Sequence, residues 1–232
     1  MLVVGVDGCP GGWLAMSYDA ERGTLTPQLH ATMREVLDVY PDARTVAIDI
    51  PIGLVEGVPR RCDVEARRAL GQRRSSVFPA PDPRIVEETS YEDASALSRT
   101  LTGKGVSRQA FGIFPKVAEV NELITPALQE RVIEGHPELS YWALANGRPM
   151  EHPKRTPEGF EERRALLVEA MPGIHVPTRA VVRRLIRSAD ADDVLDALAA
   201  AWTARRFAEG RAGRFPVEPQ TDARGLRVEM VY

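Results

Sequence analysis

"VGVDGCPGGW", residues 4–13, carries an apolar run into a carboxylate, Asp7, and follows it at once with a cluster of glycine and proline. The run reads as a central strand and the cluster as a tight turn. A buried strand is a poor place for an unanswered acid, because burial penalises the charged form. Two readings follow: Asp7 starts the turn, as aspartate often does, or it holds a cation.

Working outward, "LVVGVD", "GWLAMSYD" and "TLTPQLHA" are short strand-like runs separated by "GCPGG" and "ERG", which predicts a three-strand antiparallel meander. "TMREVLDVYP" then places Met33, Val36, Leu37 and Tyr40 at helical spacing, with Thr32 as N-cap and Pro41 beyond the end. "TVAIDIP" returns as a nearly all-apolar strand, as expected when both faces of a sheet are covered. The order is β-β-β-α-β.

Beyond it, "CDVEARRALG" predicts a short helix ending at Gly71, and the proline-rich "FPAPDP" suits neither regular element. Helical stretches between Tyr91 and Leu128 are broken by "GKGVS" and "IFPK"; "RVIEGHPE" reads as one more strand and "LSYWALAN" as the helix behind it. "RPMEHPKRTP" marks a loop, followed by helices at Pro157–Met171, Thr178–Arg187 and Ala189–Glu209. No repeat or low-complexity linker divides the chain. The expectation is one α/β domain over residues 1–232, with a mixed five-stranded sheet flanked by helices and a helical insertion around residues 60–130.

Composition narrows the class. With 232 residues and 44% hydrophobic content the chain can build a sizeable core. It has no apolar run of membrane-spanning length and no leader pattern, so a cytoplasmic protein is expected. Cys9 and Cys62 sit in no zinc-like spacing and read as reduced thiols. A net charge of −3 gives no global basic field, so any nucleic-acid contact must be local.

Three acids, Asp7, Asp49 and Glu134, fall near the carboxyl ends of three apolar strands, the edge where open α/β sheets bind ligands. Alternation puts Glu134 and His136 on one face. In "SADADDVLDALAAAWTA" the spacing makes Val194, Leu198, Ala201 and Trp202 the buried stripe, with Asp192 and Asp193 flanking it and Asp196 on the far face as the poorest candidate of the three. Six arginines between Arg60 and Arg74 oppose only Asp63 and Glu65, and Arg67, Arg68, Arg73 and Arg74 suit either an anionic backbone or a solvated helix face. Arg183, Arg184 and Arg187 form a second, smaller cluster. His136 fits proton transfer or a hydrogen-bonded core position. Lys116 and Glu119 are weaker candidates for a phosphate contact and a further ligand, and Trp13 and Trp202 read as core.

The blocks "VGVDGCPGGW", "AIDIPIGL", "RRCDVEARRALGQRRSSVFPAP", "PKVAEVN", "EGHPELSYWALANGRP", "KRTPEGFEERRALL" and "DDVLDALAAAWTA" resemble the family catalogued as domain of unknown function 429, described as predicted ribonuclease H-like nucleases. The resemblance covers almost the whole chain. It implies a ribonuclease H-like fold and a nuclease that hydrolyses phosphodiester bonds of DNA or RNA with Mg²⁺ or Mn²⁺. Asp7, Asp49, Glu134 and Asp193 would be the metal ligands, with Glu138 and Asp192 competing for two of the places. The glycines after Asp7 would then let a phosphate approach backbone amides. Two other classes stay open: a nucleotide-phosphate-binding, ATPase-like protein of the same superfamily, and a non-catalytic nucleic-acid-binding module.

Overall fold

The computed structural model describes residues 1–171, 173–180 and 190–232. Strands β1 (Leu2–Cys9), β2 (Gly12–Asp19) and β3 (Thr24–His30) form the antiparallel meander. The turn at Pro10 and Gly11 closes with Cys9 paired to Gly12, whose φ of 127° favours glycine. Helix α1 (Met33–Val39) is capped by Thr32, whose side chain accepts from the Glu35 amide, and the parallel strand β4 (Thr45–Ile48) follows.

Between β4 and β5 (Val132–Glu134) run α2 (Arg61–Leu70), α3 (Tyr91–Thr102), α4 (Arg108–Gly112) and α5 (Phe114–Leu123). Gly71, at φ 52°, ends α2. After β5 come α6 (Pro137–Leu144), α7 (Pro157–Ala170) and α8 (Ala191–Ala208). The sheet order is β3-β2-β1-β4-β5, with β1, β4 and β5 parallel.

Side-chain parity divides the core into two layers. Val3, Cys9, Ala47 and Ile133 pack with α6, α7 and α8 on one face, and Val4, Val6, Val46, Ile48 and Val132 pack with α1 and α5 on the other. Trp13 is wholly buried in the second layer and Trp202 is buried on α8. Both cysteines are free and buried. Among the described residues no helix is long and apolar enough to cross a membrane.

Two sequence expectations need correction. After Glu209, where no element was expected, β6 (Arg214–Thr221) and β7 (Arg227–Val231) form an antiparallel hairpin. Pro216 and Pro219 obscure the strand pattern of β6, whereas the turn is locally specified: the Asp222 carboxylate accepts from the Arg224 and Leu226 amides, each at 2.8 Å. Val231 bridges to Gly135 beside β5. Helix α8 is also not a one-stripe amphipathic helix, since Val194 through Ala204 are all buried. It lies between the sheet and α6 and α7, so its far face meets protein. The expected helix at Thr178–Arg187, with Arg183, Arg184 and Arg187, falls for the most part outside the described residues.

Candidate metal centre

Register decides which acids meet. Val6 pairs with Ile48, and Ile48 with Glu134. One residue further along, Asp7 and Asp49 stand side by side, and the Asp49 amide donates to the Val6 carbonyl at 3.0 Å. Both continue the parity of Gly5 and Ala47, and so turn to the face covered by α8. Glu134, level with Ile48, has the opposite parity. The position beside Asp49 on the third strand is held by Gly135, which has no side chain to offer.

The third acid comes from α8. A Cβ on Gly5 would lie 2.1 Å from the Ala197 carbonyl and 2.1 Å from the Ala201 amide, so the helix backbone rests directly on β1. That approach brings Asp196, one residue before Ala197, to the wall of a cavity of about 200 Å³ that Asp7 and Asp49 also line. Asp196 is 3% exposed. Its expected far-face position is thus a correction: with both sides of α8 buried, that face looks into the site.

The other expected acids are answered by the protein. Both Glu134 oxygens accept from Arg60 at 2.7 Å, and one also accepts from the Ile52 amide at 2.7 Å. Glu138 accepts from Arg163 Nη2 at 2.7 and 2.8 Å through its two oxygens. Asp193 belongs to the capping box of α8 and accepts from the Asp190 amide at 2.8 Å. Asp192 is partly exposed, 3.9 Å from Lys154. Glu119 accepts from the Trp13 indole at 3.0 Å and the Met33 amide at 2.5 Å, so it joins α5 to α1 and β2.

Asp7 and Asp49 have no such partner among the described residues. Burial, followed by repulsion from Asp49, Asp196 and Asp193, holds the Asp7 carboxyl well above its ordinary range. Burial pushes Asp49 up to about 6, opposed by His136 and Lys154 and reinforced by Asp196. Burial also brings Asp193 to about 6. Two adjacent carboxylates that accept no hydrogen bond among the described residues, and a third above them held by Lys154, form a set of hard oxygen ligands that a divalent cation would neutralise.

Residues 5–221 match the family described as Protein of unknown function (DUF429). The chain belongs to this family. No curated protein and no solved structure matches it.

In this DUF429 chain the rest of the cavity wall combines Lys116, Lys154, Arg60 and His136 with the paired Glu134 and Glu138 and with apolar Phe78 and Ile113. Lys116 Nζ donates to the Gly12 carbonyl at 2.6 Å and lies 4.4 Å from the centre of the Trp13 ring. His136 Nε2 donates to the Ser76 carbonyl at 3.3 Å, and its buried Nδ1 has no partner among the described residues. The glycines after Asp7 serve packing: a Cβ on Gly8 would meet Lys116 Cδ at 2.6 Å, and one on Gly12 would meet the His30 carbonyl at 2.1 Å.

None of Arg67, Arg68, Arg73 and Arg74 lines this cavity. Arg67 donates to the Val77 carbonyl at 2.5 Å and Arg73 to the Met150 carbonyl at 2.8 Å, while Arg68 and Arg74 stay exposed. Sequence reasoning counted Arg60 only as part of that run and missed its buried pairing. Lys154, which donates to Asp196 at 2.5 Å, was read only as part of a loop. Among the described residues the tightest group of potential metal ligands is Cys62, Asp63 and Glu134, within 4.8 Å of one another. The Arg60 guanidinium already binds Asp63 at 2.5 Å and Glu134 at 2.7 Å, which gives that group a resident cation.

Proposed function

We propose that this protein is a ribonuclease H-like, Mg²⁺- or Mn²⁺-dependent nuclease whose metal ligands are Asp7, Asp49 and Asp196. The observation that carries the reading is a pair of unpartnered carboxylates side by side, buried Asp7 on β1 and half-buried Asp49 just after β4, with a third acid lowered onto them by α8. The β-β-β-α-β start, an acid on the first strand, another just after the fourth and one more on a late helix support the superfamily assignment. Glu134 and Asp193 leave the ligand set because Arg60 and the helix cap engage them.

Divalent ions bound at such carboxylates supply an activated water and neutralise charge on the leaving oxygen of a phosphodiester. The chain's own residues set the rest. Lys116, fixed by Gly12 and Trp13, faces the cavity as a phosphate counter-charge. His136 lines the cavity with Nε2 turned to Ser76 and is the group assigned to proton transfer. The apolar wall of Ile113, Val77 and Phe78 limits water around the bound phosphate.

The test is purified protein with Mn²⁺ against single-stranded, duplex, branched and hybrid oligonucleotides, with ATP as a separate substrate. Wild type should cut at least one nucleic acid. Asp196→Asn should lose at least about a hundredfold of that activity, the upper end of what even second-shell partners cost, while keeping its circular dichroism spectrum. Equal cleavage by the two proteins would remove Asp196 from the site. ATP turnover without nucleic-acid cleavage would favour the nucleotide-binding class, and binding without cleavage the non-catalytic one.

A further inference from the structure

The cation bonded to Asp196 sits on the loop before α7. Lys154 Nζ is 2.5 Å from Asp196 and 3.9 Å from Asp192, yet the Lys154 side chain is 42% exposed. The backbone around it is anchored. Glu162 accepts from the Glu151 and His152 amides, Arg163 donates to the His152 carbonyl, Arg73 donates to the Met150 carbonyl, and Thr156 caps α7. The anchors leave a long, flexible side chain as the moving part. Lys116 differs, because Gly12 and Trp13 fix its ammonium in place.

Charge gives this arrangement a meaning. Once ionised, the three carboxylates outnumber the one ammonium bonded to them, and the excess negative charge favours a divalent ion. A second divalent ion and the Lys154 ammonium compete for Asp196 until a phosphodiester brings its own negative charge. We propose that Lys154 is a built-in counter-cation of the acid site, which yields Asp196 to a divalent ion and then turns to the substrate phosphate. This rests on the metal reading above. Lys154 is on these terms a positioning residue for metal entry, and its removal has an effect opposite to the loss of a ligand.

The experiment is calorimetric titration of wild type, Lys154→Gln, Lys154→Arg and Asp7→Asn with Mn²⁺ alone. Removing a positive charge next to the ligands should tighten Mn²⁺ binding by on the order of tenfold in Lys154→Gln. Lys154→Arg should stay near wild type, and Asp7→Asn should bind more weakly. Unchanged or weaker binding by Lys154→Gln, with wild type still binding, overturns the counter-cation and leaves the metal site standing. Failure of wild type and Lys154→Gln alike to bind Mn²⁺ overturns the metal reading and the counter-cation with it. Should Lys154→Gln unfold in chelator, Mn²⁺ must refold it as followed by circular dichroism, and failure to refold overturns the proposal.

Discussion

Glu134 and Glu138 on one side, and Asp7 and Asp49 on the other, line the same cavity and differ in what faces them. Each glutamate meets a buried guanidinium, Arg60 or Arg163, through two oxygens. The aspartates meet each other, Asp196 and open space. A carboxylate matched by a planar five-donor group is a structural element, since its negative charge and its lone pairs are both satisfied. One left without donors retains the capacity to bind a cation from solution. The contrast gives the glutamates an architectural role and is the ground on which the proposed function assigns the chemistry to the aspartates.

The hardest strain on that comparison comes from removing a guanidinium. Arg60→Met would leave Glu134 and Asp63 buried without a cation, and breaking such a pair from one side costs about 3–5 kcal/mol. Urea denaturation should show a loss of that size. A loss below about 1 kcal/mol would mean that the glutamate side is no better satisfied than the aspartate side.

Removing an aspartate should act the other way. In chelator, Asp7→Asn relieves a buried, repelled carboxylate and should raise stability by about 1–2 kcal/mol, the trade expected when a functional group is deleted. The pH dependence follows with the same sign. Asp49 and Asp193 rise from an ordinary 3.8 to about 6 in the folded chain, so between those values the folded state holds more protons than the unfolded one. Their contribution to stability should therefore fall as pH rises from about 4 to about 6, with Asp7 extending the fall higher. Melting temperatures in chelator across that range check it, and Asp49→Asn should flatten the slope. A contribution from Asp7 and Asp49 that rises over the same range would contradict their assignment as unanswered acids.

The legibility of the two groups in the sequence differs for the same physical reasons. Strands β1 to β4 and α1 follow from short apolar runs, turn residues, helical spacing and the Thr32 cap, all local signals. Asp7 and Asp49 could be placed at a common edge because each ends an apolar run, although β1 continues past Asp7 to Cys9 and the turn that one reading had Asp7 start begins only at Pro10. The partner that excludes Glu134 is remote in sequence, and its facing direction depends on a register that a three-residue strand such as β5 does not announce. Asp196 was misplaced because a helix face was assigned to solvent from a single apolar stripe. The run of alanine and leucine around the whole of α8 was the available signal that no face is free. The basic run shows the same limit, since only packing reveals that Arg67 and Arg73 are spent on backbone carbonyls.

The smallest expected effect concerns the two arginines that remain exposed. Arg68→Gln with Arg74→Gln should leave stability within about 0.5 kcal/mol per site. If both meet phosphates, the slope of log affinity against log salt for nucleic acid should become shallower by about two. An unchanged slope assigns them to solvent and confines nucleic-acid contact to the cavity and its rim.

The contact of Gly5 with Ala197 and Ala201 also dictates when the site comes into being. The first strand is synthesised well before the helix that covers it, so a long loop must close before the three aspartates share a space. A nascent chain that ends before Ala191 carries both sheet acids and an uncovered apolar face, but no third ligand. Closure of that face and assembly of the three aspartates are then a single step in folding, and on the proposed reading a chain lacking α8 has no complete metal site.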